Sequence, residues 1–142
     1  MAIANLQETL LCYTMRKAFL VDENTSLSNE KTLLALSQMD TNSMLGAEKS
    51  ELRNFFKYLY ESDAALQESY TDYTEIPDFE DEIDKIEAYY QDLIQELTLQ
   101  EQAIDQQITT NDVELTEIDA FMESVRSNLT SNIGNDFEFG GN

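Results

Sequence analysis

Apolar residues recur every seven positions through most of this chain, and that repeat restricts the fold more than any other feature. Leu6, Tyr13, Leu20, Leu27 and Leu34 are seven apart. A companion row starts as Ile3 and Leu10 and turns polar at Lys17, Asn24 and Lys31. Leu11, Met15 and Phe19 are expected to widen the apolar face near its start. A second run follows at Leu45, Leu52, Leu59, Leu66 and Tyr73, with Phe55, Phe56 and Tyr70 in the other row. A third runs from Ile83 through Ile86, Tyr90, Leu93, Leu97, Gln100, Ile104, Ile108, Asn111, Leu115, Ile118, Met122 and Val125 to Leu129. Its steps alternate three and four, except for two successive fours around Ile104, a stutter that locally unwinds a supercoil. Strict seven-residue repeats bury one stripe of a helix against another helix.

Boundaries come from breakers and caps. Asp40-Thr41-Asn42-Ser43 is short, polar and rich in cap-forming types, so it predicts a turn. A short connection makes the next helix an antiparallel neighbour. Pro77 ends the following helix, because the residue before a proline is pushed out of helical geometry. Asp78 is then a candidate N-cap, with Glu80, Asp81 and Glu82 at the positive end of the helix dipole. Two further breaks are candidates. Asn24-Thr25-Ser26 has poor helix propensity, and Thr109-Thr110 precedes a capping-box pair, Asn111 with Glu114. The heptad phase passes both sites, which favours continuity.

The expectation is an all-α antiparallel bundle of three or four long helices with coiled-coil-like seams in residues 1–133. The helices fall at about 3–40, 44–75 and 78–133, with candidate breaks near 24–28 and 109–112. A non-helical tail follows at 134–142. An unbroken third helix would overhang the bundle and seek a partner chain.

Charge is segregated as strongly as the apolar residues. Residues 61–123 hold twenty acids and one base, Lys85. Residues 1–60 hold seven acids and six bases. The whole chain of 142 residues carries −21. Such a field governs partners and association kinetics. It excludes direct nucleic-acid binding through a basic stripe.

Catalytic equipment is sparse. There is no His, so the commonest general base and metal ligand are missing. Cys12 is the only cysteine, and it reads as a small apolar residue beside a helix seam. The acids around Asp78–Asp84 lack the glycine of a calcium loop, since Ile83 stands at the sixth position. No catalytic residue, cofactor or metal site is expected. The start of the chain lacks the order of a secretory signal, and no run reaches a membrane span. The expected location is cytoplasmic, or outside the cell by a route without a cleaved signal.

Nine of the fourteen aromatics lie between Phe55 and Tyr90. Tyrosine combines apolar area with a polar tip and is enriched at interfaces. Tyr70, Tyr73, Phe79, Tyr89 and Tyr90 are therefore candidate contacts for a basic, apolar partner, with Phe137 and Phe139 as a second group in the tail. Several of them would equally serve as seam residues closing a hairpin end. Lys17, Asn24, Lys31, Gln100 and Asn111 sit in seam rows, where they either fix register and oligomer state or face solvent.

Together these features predict a non-enzymatic helical interaction or structural protein, a homo-oligomer or part of a larger assembly. In composition it is similar to helical subunits and accessory proteins of bacterial export and filament systems, with abundant Ser, Thr, Asn and Gln. One alternative is a small acidic export chaperone. Another is a DNA mimic that occupies a nucleic-acid-binding protein. Its charge spacing of roughly 5 Å along a helix, at ~1.5 Å per residue, is sparser than the ~1.7 Å of duplex DNA.

Overall fold

The structure, a computed structural model, describes residues 2–140 and the side chains as far as residue 135. Among these the fold is all-α. Helix α1 spans Ile3–Ser62, α2 spans Ala64–Ser69, and α3 spans Pro77–Gly140, with one short 3-10 turn at Tyr73–Glu75. No strand occurs among the described residues.

The expected turn at Asp40–Ser43 does not form. The stretch read as a separate helix at 44–75 is instead the second part of α1, followed by the connection. One physical reason is threonine. The Thr41 hydroxyl donates to the Ser37 carbonyl at 2.7 Å, one turn back. Thr25 does the same to Val21, and Thr109 and Thr110 to Asp105 and Gln106. Each hydroxyl finds its partner inside the helix, so it does not compete for a capping geometry. The chain accordingly stays helical through 24–28 and 109–112 as well.

Helix α1 stops where Asp63 turns extended and accepts from the Ala65 amide as N-cap of α2. Gln67 donates to the carbonyls of Tyr60 and Glu61, two of the orphan acceptors at the α1 terminus. The Tyr60 hydroxyl bridges the carbonyls of Tyr70 and Thr71 at 3.0 and 2.8 Å, and so pins the returning chain. Pro77 is the first residue of α3, where its missing N–H costs nothing, so Asp78 lies inside the first turn rather than at the cap. The backbone of α3 reaches Gly140, so helix replaces the tail expected after residue 133 that far.

The chain divides into two compact units, Met1–Glu30 with Ala103–Asn142, and Lys31–Gln102. In the first, α1 and α3 run antiparallel around Leu20, Ile118 and Met122, with Leu10, Tyr13 and Leu115 packed alongside. In the second, the same two helices are antiparallel and close on Phe56, Ile76 and Phe79. Two long helices, rather than a third folded-back partner, thus make the seam of each unit.

In the second unit both helices slip by one residue in phase. The sheltered positions of α1 take two successive steps of four at Thr41, Leu45 and Lys49, and those of α3 do so at Leu93, Leu97 and Glu101. The stutter expected around Ile104 is therefore centred on Leu97, and Gln100 points to solvent. Gln38 faces Glu101 and Lys49 faces Glu87, which places the two stutters in the same stretch of the pair. Matched stutters let the helices unwind together and keep their contact line.

Gly46 lies within α1, and a Cβ added there would meet nothing within 4 Å. Gly46→Ala is expected to stabilise the chain by about 0.5–1 kcal/mol, the usual helix-interior difference. Thermal unfolding followed by circular dichroism checks this.

Candidate interaction surfaces

Of the polar seam residues, Lys17, Asn24 and Asn111 are answered by partners, whereas Gln100 faces solvent. Lys17 reaches Asp119 at 2.7 Å, and Lys49 pairs with Glu87. Arg16 makes two parallel bonds to Glu114, at 2.8 and 3.1 Å. So bases of the near-neutral α1 meet acids of α3, and the charge segregation in the sequence is used in part to pair the two helices. These groups are partly exposed, so water and salt screen them and such pairs contribute little stability and mainly select the partner.

Glu114 titrates below the ordinary carboxylate value of 4.5 because Arg16 hydrogen-bonds it, and the same bond raises the guanidinium. A lowered carboxylate pKa means stability that is present above 4.5 and lost as pH falls through the folded value. The stability difference between wild type and Glu114→Gln should hold from neutral pH down to that region and then shrink. Urea melts at a series of pH values measure it.

One polar layer is buried. Asn111 is 2 % exposed and is the only buried polar residue described. Its amide donates to Asn24 Oδ1 at 2.9 Å, and its own oxygen accepts from Gln107 at 3.0 Å. Asn24 in turn donates to Asp112 at 3.0 Å. The four side chains form one directed chain that ends on a carboxylate. No buried side-chain polar atom lacks a partner among the described residues.

Of the aromatics singled out from sequence, most are internal. Phe79 is buried, and Tyr70 and Tyr73 pack against the same cluster at the closed end of the second unit. Tyr73 and Phe56 each meet the Phe79 ring edge-on, with centroids 5.4 Å away. Tyr90 is buried too, and its hydroxyl donates to Glu48, which raises its pKa above the usual 10.0. Tyr89 is exposed, at 61 %. The side chains of Phe137 and Phe139 lie outside the described residues.

Two surfaces that the sequence did not reveal as such remain open. On the first unit, Leu11, Met15 and Phe19 do not widen the seam. They are 59, 65 and 55 % exposed. Their spacing of four sets them in one stripe on the side of α1 turned away from Leu10, Tyr13 and Leu20. Cys12 is exposed beside them, not tucked against the seam. Arg16 stacks over the Phe19 ring at 5.3 Å, and the residue is still half exposed.

On the second unit, Leu52, Phe55 and Ile86 line an open groove of about 320 Å³ with Glu48 and Glu51 on its rim. Phe55 is 55 % exposed and rests edge-on against Phe56. Tyr58 and Tyr89, each one turn from a lining residue, are also exposed. No group of three or more His, Cys, Asp or Glu among the described residues is arranged to hold a metal ion. No described helix is long and apolar enough to cross a membrane. No protein-family model, curated protein or solved structure matches the chain.

Proposed function

We propose that this chain is a non-enzymatic helical interaction protein that associates with its own copies through the outer stripe of α1. The observation that carries the reading is exposed apolar surface. Leu11, Met15 and Phe19 form one stripe of α1 and are 59, 65 and 55 % exposed, a surface suited to contact with another chain. Contiguous apolar side chains left in water are the usual mark of such a contact.

Charge decides where a second copy can approach. Two bodies of −21 repel, so the contact belongs where the local charge is smallest. Residues 1–21 hold one acid, Glu8, and two bases, Arg16 and Lys17, and this is the segment that carries Leu11, Met15 and Phe19. Everything from residue 61 to 123 is less favourable, with its twenty acids. An assembly built this way turns the acidic helix outward, where it keeps the product dispersed.

Cys12 reports on the stripe without any change of sequence. Its reaction with a maleimide should slow as protein concentration rises, because association covers the neighbouring residues. A labelling rate that stays constant from low to high concentration would contradict this interface.

A further inference from the structure

The groove on the second unit differs from the α1 stripe in its surroundings. Its floor is apolar, with Leu52, Phe55 and Ile86, and its rim carries Glu48 and Glu51. The Tyr90 hydroxyl bonds the Glu48 carboxylate, and Lys49, the nearest base in sequence, is engaged by Glu87. The unit as a whole, residues 31–102, holds seventeen acids and five bases. A second copy of this unit would bring the same charge again, so like charges oppose a homotypic contact here. A ligand with apolar residues on one side and cations beside them satisfies both the floor and the rim.

We propose that this groove receives an amphipathic helix of a different protein, with large apolar residues spaced three and four apart and Lys or Arg flanking them. Two antiparallel helices with one open side present the surface that a third helix fills, and an amphipathic helix lays its apolar face into such a groove. Phe55, exposed in the groove and backed by Phe56, is the anchor. Glu48 and Glu51 choose the cationic ligand and speed its approach more than they tighten it. The proposal rests on the reading of the chain as an interaction protein, but it concerns a different surface.

The test uses the full-length chain and a fluorescein-labelled synthetic helix of roughly five turns. One form of this peptide carries Leu at positions i, i+4, i+7 and i+11 with Lys on both flanks. A control keeps every Lys and replaces each Leu by Ser. Fluorescence anisotropy should show the Leu form binding at least about tenfold more tightly than the Ser form, and Phe55→Ser should weaken it by a similar factor, as loss of a central anchor does. Glu51→Arg, an exposed change that leaves the core untouched, should weaken binding several-fold at low salt and flatten its salt dependence. Equal binding of both peptides would reduce the effect to bulk charge and overturn the proposal. So would Phe55→Ser and Glu51→Arg proteins that bind like wild type. If Phe55→Ser instead abolishes concentration-dependent self-association, the groove belongs to a second copy and the proposal also falls. Met15→Glu separates the two readings, since it should remove self-association and leave peptide binding unchanged.

Discussion

Phe56→Ala is expected to lower the stability of the chain by about 3–5 kcal/mol, the range for truncating a buried aromatic. Phe56 is 6 % exposed and sits between Phe55 and Phe79, with ring centroids at 5.6 and 5.4 Å, both edge-on. Edge-to-face pairs add to the loss of buried area. The cluster also includes Ile76, immediately before the proline that starts α3, and it gathers Tyr70, Tyr73 and Leu66 from the connection. Removing the central ring therefore loosens the closed end of the second unit as a whole. Phe55→Ala, one residue away but half exposed, should cost much less. Chemical denaturation of both variants decides it, and equal losses would mean the buried face is misassigned.

The second large effect lies in the polar layer of the first unit. Asn111→Leu removes the donor that the half-buried Asn24 uses and leaves that oxygen short of a partner, at a cost of up to about 1–3 kcal/mol. Adding Asn24→Leu should recover part of that loss, because removing both partners is far less costly than removing one. The double variant should nonetheless pair its helices less uniquely. A buried Asn pair tolerates only the alignment in which the two amides meet, whereas facing leucines accept neighbouring alignments. Denaturation gives the energies, and hydrogen exchange along α1 and α3 reads the uniqueness of pairing. A double variant less stable than Asn111→Leu alone would show that the Asn pair contributes more than satisfied hydrogen bonds.

Helical class and most seam positions were legible because a seven-residue repeat has one simple physical solution, a helix buried along one stripe. The continuity of α1 was legible too, but masked. The row Ile3, Leu10, Lys17, Asn24 and Lys31 goes on through Gln38 to Leu45, Leu52 and Leu59, all seven apart, so this row crosses residues 40–43 without a break. Four polar members in succession, Lys17, Asn24, Lys31 and Gln38, split it into two apparent helices. Composition also misled at Asp40–Ser43, because cap-forming residues are satisfied in mid-helix when a hydroxyl reaches the carbonyl one turn back, as Thr41 does. The stutter in α3 was misplaced because Gln100 and Glu101 are equally polar, and only the contact with Gln38 distinguishes them.

The surfaces were harder to read. At 100° per residue, Leu11, Met15 and Phe19 fall opposite the seam through Leu10, Tyr13 and Leu20, so the heptad itself carried their orientation. Their hydrophobicity suggested a wider core instead. The tyrosines near Pro77 posed the reverse problem. Their types suit an interface, but the chain reversal at Tyr70–Ile76 needs apolar filling, and Tyr70, Tyr73 and Phe79 supply it. The groove at Leu52, Phe55 and Ile86 joins residues more than thirty positions apart and becomes visible only once the pairing register is known.

Self-association through the α1 stripe is the claim on which the functional reading depends, and sedimentation velocity of the purified chain tests it most directly. The attraction is apolar and the opposition is electrostatic, with a screening length that falls from ~30 Å at 0.01 M salt to ~8 Å at 0.15 M. The expected result is a species heavier than the 16.3 kDa monomer whose fraction rises with protein concentration and with salt, and which Met15→Glu returns to monomer with an unchanged helical spectrum. A 16.3 kDa monomer at every salt level and at high concentration would contradict it.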